Sequence, residues 1–261
     1  MTVDKQSLYQ HDLEQTETNH ERLQRNPNLM FWYQELYRDL FSSVSGLERK
    51  RVLEIGSGVS PLKNFLPTVI TSDVLDLEYL DFVFDCHDIA DFIEIADHSI
   101  DIITLTNVLH HLKDPMQFLR GARNKLVHGG CIYIVEPYFS LISYPIFKLF
   151  HHEPVNFSIV RPILDDVQGP LSTSNQAIPH MIFFSKADWL HELMDYYVLE
   201  ESSYGFFTSL AYMLTGGISR IIPIPKWIYR PYFILDQILA RYLPKIFASF
   251  FSVRLVAKGS S

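Results

Sequence analysis

A turn with two glycines, directly after a short apolar run, is the segment whose residue types most clearly suggest chemistry. It reads Val52-Leu53-Glu54-Ile55-Gly56-Ser57-Gly58. Glycines at such a turn let the backbone approach a ligand without interference from a Cβ atom. The dinucleotide-binding turn G-x-G-x-x-G would need a third glycine where this chain has Pro61. The carboxylate of Glu54 would also repel a pyrophosphate, so the turn favours a cationic ligand.

Further residues of suitable type follow this turn along the chain. They are Asp73, Cys86-His87-Asp88-Ile89, Ser99-Ile100-Asp101, the run Asn107-Val-Leu-His-His-Leu and the pair Gly129-Gly130. In this order and spacing, residues 48–137 resemble the class I S-adenosylmethionine-dependent methyltransferases, and among them the methyltransferase type 11 group. Two positions depart from that family's pattern: Ser60 replaces the third glycine of its first motif, and His128 replaces the proline before its later glycine pair.

The resemblance implies which residues hold the cofactor S-adenosylmethionine and its product S-adenosylhomocysteine. The amino-acid end would be held by Glu54, Gly56, Ser57 and Gly58, the ribose by Asp73, and the adenine by Asp88 and Ile89, with Asn107 beside the methionine tail. Val74 is a further expected cofactor contact. One carboxylate can accept hydrogen bonds from both ribose hydroxyls, which is the role implied for Asp73.

Two adjacent histidines are the candidate catalytic residues. Methyl transfer is an in-line displacement at the methyl carbon, so positioning supplies much of the acceleration. A base matters when the acceptor is a hydroxyl group, and histidine has a suitable pKa for that role. The resemblance places His110 and His111 near the reacting methyl group. We favour His111 as the base; the alternative is that these histidines cap the turn or pack under a lid.

A second group of polar residues follows the predicted fifth strand. It contains Glu136, Tyr138, His151, His152, Glu153 and His180. We predict that Glu136 and Tyr138 contact the acceptor, and that His151 and His152 belong to a loop that contacts it. Adjacent histidines lack the i, i+4 spacing that places two ligands on one helix face. No metal site is therefore predicted, although a metal or a purely structural loop remains an alternative.

Alternating strands and helices must position these residues. Short apolar runs predict strands at 51–55, 68–72, 82–84, 100–106, 131–135 and 196–201, and residues 250–257 alternate like an edge strand. Helical spacing predicts helices at 4–25, 29–41, 116–126 and 186–195. This order predicts an α/β fold: a Rossmann-like, seven-stranded, mostly parallel sheet flanked by helices, with N-terminal helices and a C-terminal helical insertion.

We predict that residues 1–261 form one methyltransferase domain. Residues 1–46 would be a helical cover, 47–137 the cofactor-binding core, and 138–185 a lid or substrate region. Residues 186–261 would supply the last strands, with a helical insertion at about 204–246. Proline residues break that insertion into short helices.

Charge is distributed unevenly along the chain. The formal net charge is −8, whereas residues 202–261 hold seven basic groups and one acid, giving +6 and leaving −14 on residues 1–201. A basic, apolar end on an acidic body suggests an anionic partner. The apolar stripe at 228–243 would meet an anionic membrane surface or a lipid-linked substrate, or alternatively pack on the sheet. The acidic body argues against nucleic acid.

The sequence thus predicts a methyltransferase that methylates a hydroxyl of a small molecule, a sugar or a lipid-linked acceptor. The alternatives are an N- or C-methyltransferase, or a non-catalytic cofactor-binding or membrane-associated subunit. Cys86 and Cys131 form neither a disulfide framework nor a zinc pattern, and no targeting or membrane-spanning segment is evident. A cytoplasmic location is therefore expected, with attachment to a membrane surface as the alternative.

Overall fold

A twisted, mostly parallel sheet organises the chain. The computed structural model describes residues 5–150, 153–165 and 167–259. Within them the strands are β1 (Val52–Ile55), β2 (Ile70–Asp73), β3 (Phe82–Val83), β4 (Ile100–Thr106), β5 (Leu126–Pro137), β6 (Tyr197–Val198), β7 (Tyr204–Phe207) and β8 (Phe250–Ala257). The order is β3-β2-β1-β4-β5-β8-β6, with β7 also paired to β8. Strands β1 to β5 are parallel, and β8 is antiparallel to β5.

Helices cover both faces of this sheet. In the described residues they are α1 (Lys5–Gln24), α2 (Pro27–Leu40), α3 (Leu62–Phe65), α4 (Pro115–Lys125), α5 (Ser143–Phe150), α6 (Ala177–His180), α7 (Ala187–Leu193), α8 (Ala211–Leu214), α9 (Lys226–Tyr242) and α10 (Pro244–Phe247). Short 3-10 helices occupy Cys86–Asp91 and Leu109–His111. No helix in the described part of the chain is long and apolar enough to span a bilayer.

Side-chain alternation along the strands divides the core into two clusters. In β1, Leu53 and Ile55 pack into one cluster, whereas Val52 packs into the other with Trp32 of α2. Both faces of the central strands are therefore dry, as their continuous apolar sequences require. Helix α2 is fixed at its start by Asn26, whose side chain accepts a hydrogen bond from the backbone N–H of Leu29.

The sheet has eight strands rather than the predicted seven. Strands β6 and β7 run along the same edge of β8: Tyr197 pairs with Ala257, and Tyr204 pairs with Val253. They resemble one strand that is interrupted by residues 199–203. The predicted start of the helical insertion at 204 is therefore wrong, because residues 204–207 continue the sheet.

The prediction that residues 250–257 form an edge strand is also wrong. Strand β8 bonds to β5 on one side and to β6 and β7 on the other. Its alternation of buried and half-buried residues has a different cause, which is unequal cover on its two faces. The predicted ranges of β4 and β8 themselves are confirmed.

The strand order reverses between β1 and β4. In open α/β sheets, ligands bind in the crevice at the carboxyl ends of the strands where this reversal occurs. Gly56 follows β1, Asp73 ends β2, and Asn107 follows β4. The fold therefore brings three separate parts of the sequence to one edge of the sheet.

Candidate functional site

The glycine turn after β1 is held against β2 by backbone hydrogen bonds. Ser57 donates its N–H to the carbonyl of Ser72 (2.9 Å), and Ser72 donates its N–H to Ser57 Oγ (3.1 Å). Gly56 has φ +74°, and a Cβ atom there would lie 2.3 Å from Val108 Cγ2. Two features therefore require glycine at position 56: its left-handed backbone conformation and the close approach of the loop after β4.

Asp73 completes the turn and points to the same space. Its Oδ2 accepts the N–H of Gly58 (2.9 Å), and its Oδ1 accepts the N–H of Leu75 (3.1 Å). Burial raises the pKa of Asp73, and these backbone donors partly oppose the rise. A carboxylate oxygen accepts more than one hydrogen bond, so Asp73 retains acceptor capacity for a ligand.

One large cavity adjoins this turn. Its volume is about 1330 Å³, above the range of roughly 300–1,000 Å³ that is usual for a single small ligand. The predicted site residues that line it are Gly56, Gly58, Asp73, Val74, Asn107, His110 and His111. The space is therefore sufficient for a cofactor together with a second molecule.

Six other predicted site residues do not line this cavity. They are Glu54, Ser57, Asp88, Ile89, Glu136 and Tyr138. Ser57 instead fastens the turn to β2, as described above. Tyr138 packs in the core against His180 and Phe184. His151 and His152 lie outside the described residues.

Glu54 lies behind the turn. It is almost completely buried, and its Oε1 accepts a hydrogen bond from Ser60 Oγ (2.5 Å), which also contacts the Tyr37 hydroxyl (2.9 Å). Its Oε2 has no hydrogen-bond partner. Burial raises the pKa of Glu54 to about 7, against the lowering effect of Ser60. Ser60, rather than Glu54, reaches the cavity wall.

The predicted adenine contacts differ from the residues found at the cavity. Asp88 is exposed and Ile89 is buried in the core, because the chain from Cys86 to Asp91 forms a 3-10 helix that turns them away. Asp85 and His87 line the cavity instead. His87 Nδ1 lies 2.6 Å from Asp85 Oδ1, while its Nε2 accepts the N–H of Asp114 (3.1 Å).

Asn107 supplies a test of whether this cavity fits a cationic ligand. Its backbone has φ +57° and its N–H donates to the carbonyl of Val135 (2.8 Å). Its side-chain Oδ1 is buried without a hydrogen-bond partner, although the residue lines the cavity. A buried acceptor in this state is costly unless a ligand donates to it. The ammonium group of S-adenosylmethionine is such a donor.

Glu136 holds the loop after β4 from inside the core. It is completely buried and accepts hydrogen bonds from the N–H groups of Val108 (2.9 Å) and Leu109 (2.6 Å) and from His110 Nδ1 (2.5 Å). The sequence predicted that Glu136 contacts the acceptor, whereas its side chain lies in the core and outside the cavity wall. Although it follows the strand segment that the sequence predicted, its side chain points into the protein.

His110 is an ion-paired histidine rather than a candidate base. Its Nε2 lies 3.1 Å from Glu153 Oε2, and Glu136 occupies its other ring nitrogen. Burial alone would lower the pKa of His110, but the carboxylates of Glu136 and Glu153 outweigh it and raise the pKa to about 10. The imidazole is then already protonated at neutral pH and does not accept a further proton.

His111 has a different environment in the same cavity. Its Nδ1 lies 3.2 Å from the carbonyl oxygen of Thr173, and its Nε2 lies 3.6 Å from Glu153 Oε1. Because a carbonyl oxygen only accepts, Nδ1 carries the proton in this contact. The other ring nitrogen, Nε2, lies on the side of Glu153.

His110, His111 and Glu153 together have the composition of a metal-binding group. One ligand atom from each lies within 4.8 Å of the others, and Glu136 would act as the outer partner of His110. The sequence predicted no metal site, because it did not show that Glu153 meets two histidines some forty residues earlier. Asp85, Cys86 and His87 form a second such group.

Helix α1 contributes a wall that sequence reasoning missed. Gln15, Thr16 and Asn19 line the cavity. Asp12, on the same face, accepts hydrogen bonds from the N–H of Leu171 and from Ser172 Oγ (both 3.0 Å). The signal was present in the sequence, since small polar residues recur at 12, 16 and 19 with helical spacing.

Comparison with known proteins finds one matching family over part of the chain. Residues 53–134 match a family model described as a methyltransferase domain, a range that runs from β1 into β5. The match confirms the resemblance to the class I S-adenosylmethionine-dependent methyltransferases, and with it the enzyme class and the cofactor. No curated protein sequence matches the chain.

Several solved structures are similar to this chain at low identity. A SAM-dependent methyltransferase from Archaeoglobus fulgidus is 16% identical, with a TM-score of 0.47 over 85% of this chain and 94% of that one. A complex of the Haloferax volcanii Trm112 methyltransferase activator with a methyltransferase gives 13% identity and a TM-score of 0.47 over 92% and 94%. A methyltransferase from Mesorhizobium loti gives 12% identity and a TM-score of 0.45 over 84% and 96%.

Proposed function

We propose that this enzyme transfers the methyl group of S-adenosylmethionine to a hydroxyl of a small-molecule, sugar or lipid-linked acceptor. The observation that carries the proposal is a cavity of about 1330 Å³, which is lined both by the glycine turn with Asp73 and by His111 with Glu153. A methyl donor and an acceptor need to share one space, and this cavity is large enough for both.

The residues of this chain that would hold the cofactor follow from the cavity wall. Gly56 and Gly58 form the turn, Asp73 accepts from the ribose, and Asn107 Oδ1 accepts from the ammonium group. Asp85 and His87, which are fixed by their mutual contact, replace Asp88 and Ile89 as the proposed adenine contacts. The bound cofactor supplies an electrophilic methyl group on a sulfonium.

His111 is the proposed general base. Its Nδ1–H is held by the carbonyl of Thr173, so its Nε2 accepts the proton that the acceptor hydroxyl loses. Glu153 then stabilises the imidazolium that forms, because its carboxylate lies 3.6 Å from Nε2. His110 and Glu136 are positioning residues, since they fix the loop and Glu153 rather than accept a proton.

The other walls of the cavity favour an acceptor with an extended apolar part. Apolar side chains from the loop and helix region after β5 line it, namely Ile146, Phe147, Ile163, Val167 and Leu171. Such a wall removes apolar ligand surface from water and gives little reason for a purely polar sugar to bind. Among the predicted acceptors, this favours a lipid-linked molecule. A cytoplasmic location stays a prediction.

Replacement of His111 by Asn tests the proposed function. Loss of a general base costs about 100-fold or more in kcat, while binding of S-adenosylhomocysteine by calorimetry stays unchanged. Turnover is followed as S-adenosylhomocysteine released over a panel of apolar alcohols and phenols. His191→Asn is the matched control, because His191 is an exposed residue of α7 away from the cavity.

The pH profile and a chelator separate the alternatives. Wild-type kcat/KM should fall on the acidic side as a base becomes protonated, and His111→Asn should lose that limb. Full activity of His111→Asn on the same acceptor would contradict base catalysis and favour an N- or C-methyl acceptor. Loss of turnover on chelation, restored by added divalent metal, would instead assign His110, His111 and Glu153 as ligands.

A pair of substitutions tests the cofactor contacts. Asp73→Asn should weaken binding of S-adenosylhomocysteine about tenfold or more, because hydrogen bonds to a charged acceptor contribute about 1.5–3 kcal/mol. Asp88→Asn should leave it unchanged, since Asp88 is exposed and outside the cavity wall. Titration calorimetry on both variants measures this. If Asp88→Asn weakens binding of S-adenosylhomocysteine more than Asp73→Asn does, Asp88 contacts the adenine as the sequence predicted.

A further inference from the structure

Helix α9 leaves a broad apolar face in contact with solvent. The exposed residues on this face are Trp227, Ile228, Ile234, Leu235, Ile238 and Tyr242. At 3.6 residues per turn, these six positions fall within an arc of roughly 120°, on one side of the helix. Trp227 and Tyr242, one near each end, are 77% and 76% exposed. Contiguous apolar surface of this kind is rare on a monomer without a partner.

The opposite face of α9 fixes the helix to the rest of the protein. Tyr229 and Phe233 are buried against Phe31 of α2. Asp236 is also buried and accepts hydrogen bonds from the N–H groups of three consecutive residues, Ser209, Leu210 and Ala211. Rotation of α9 to bury its apolar face would break these bonds and leave a carboxylate unsatisfied. The exposed face is therefore a consequence of the packing.

The apolar surface continues beyond α9. Leu243, just before α10, and Ile246, within α10, are exposed. Leu141 is exposed as well. Leu141 is fixed beside α10 because its N–H donates to the carbonyl of Lys245 (3.0 Å). The six residues of α9 and these three form what we call the C-terminal apolar surface. Its parts come from two separate regions of the chain.

The chain that forms most of the C-terminal apolar surface also carries basic residues. The basic residues of 220–246 are all exposed: Arg220, Lys226, Arg230, Arg241 and Lys245. The one acid in this range of the sequence is Asp236, which is buried. Arg241 pairs with Asp39, and the other four add to the field at this end of the molecule. Residues 1–201 carry −14, so an anionic surface attracts this end and repels the body.

We propose that the C-terminal apolar surface docks on an anionic lipid membrane, with α9 lying in the plane of the interface. An amphipathic helix that combines an apolar face, flanking basic residues and interfacial Trp and Tyr binds such a surface. A second copy of this chain is disfavoured as the occupant, because two faces of the same positive charge would meet. Ile222, which precedes α9 in the chain, is exposed and also lines the cavity.

Co-sedimentation with lipid vesicles tests the proposal with the full chain. We expect binding to vesicles of phosphatidylcholine with phosphatidylserine at low salt, weaker binding at high salt, and little binding to phosphatidylcholine alone. Trp227→Ala combined with Leu235→Ala should lower the affinity about tenfold. Lys226→Gln and Lys245→Gln should each lower it about fivefold. Ile93→Ala and Arg49→Gln, exposed residues outside this surface, are the matched controls.

Other outcomes overturn the proposal. A lack of binding to anionic vesicles at low salt would contradict the proposal. Equal binding to anionic and neutral vesicles would show that the basic residues do not contribute to docking. The wild type could instead self-associate without binding vesicles. If Trp227→Ala combined with Leu235→Ala abolishes that self-association, the surface binds a second copy of this chain. Binding of S-adenosylhomocysteine by each variant confirms that it is folded. Vesicle binding is measured without turnover, so its result is independent of the proposed methyl transfer.

Discussion

Glu136→Ala is expected to lower the free energy of unfolding by about 3–5 kcal/mol, the usual cost of breaking a buried ion pair from one side. The side chain is completely buried and accepts three hydrogen bonds. Its removal leaves the N–H groups of Val108 and Leu109 without this acceptor. The positive charge of His110 is then balanced by Glu153 alone. The loop that carries His111 is then free to move, so kcat should also fall.

Urea denaturation followed by circular dichroism measures the first effect. Glu94→Ala is the control, because Glu94 is exposed, and it should stay within about 0.5 kcal/mol of the wild type. Glu136→Gln should lie between the two, since its amide oxygen still accepts from the backbone but its NH₂ group faces His110. A stability of Glu136→Ala equal to that of Glu94→Ala would show that the buried network contributes little.

The sheet and the glycine turn could be predicted because their signals are local. Strand β4 is a run of apolar, β-branched residues, and its predicted range coincides with the observed one. Gly56 and Asp73 each end a strand, and parallel strands bring their carboxyl ends to one edge. Helical spacing likewise predicted α2 and α4 to within one or two residues.

The contacts of Glu153 and Glu136 could not be predicted for two different reasons. Glu153 reaches His110 and His111 through a segment that has no regular period, so no pattern specifies its path. The position of Glu136 near the end of β5 was evident, but the direction of its side chain was not. That direction follows from the register of β5, where Ile134 and Glu136 share one face.

The C-terminal helix shows where an apolar pattern is ambiguous. The sequence left open whether the stripe at 228–243 packs on the sheet or meets another surface. Phe233 packs in the core, whereas Ile234, Leu235 and Ile238 are exposed. Asp236 decides the outcome, because its capping of the backbone at 209–211 selects which face is buried. A single acid within an apolar run gives no such signal in sequence.

Glu54→Gln should remove a pH dependence of stability worth about 3 kcal/mol. Burial raises the pKa of Glu54 from 4.5 to about 7 in the folded protein. The folded state therefore holds this proton more tightly than the unfolded state does. Its contribution to stability is fully present below about pH 4.5 and is lost as the pH rises through 7. The substitution should thus be most favourable above pH 7.

The difference between wild type and Glu54→Gln isolates this group from His110 and His180, whose pKa values are also shifted. The pKa of His110 is raised to about 10 by its two carboxylates despite burial, so its contribution is lost between about pH 6.5 and 10. Burial lowers the pKa of His180 to about 4, and its contribution is lost as the pH falls below 6.5. Both effects are common to the two proteins and cancel in the difference. Free energies of unfolding measured by urea from pH 4 to 9 should therefore diverge between the two proteins across pH 4.5–7. Parallel curves would mean that Glu54 is already ionised behind Ser60, with its Oε2 in contact with a donor.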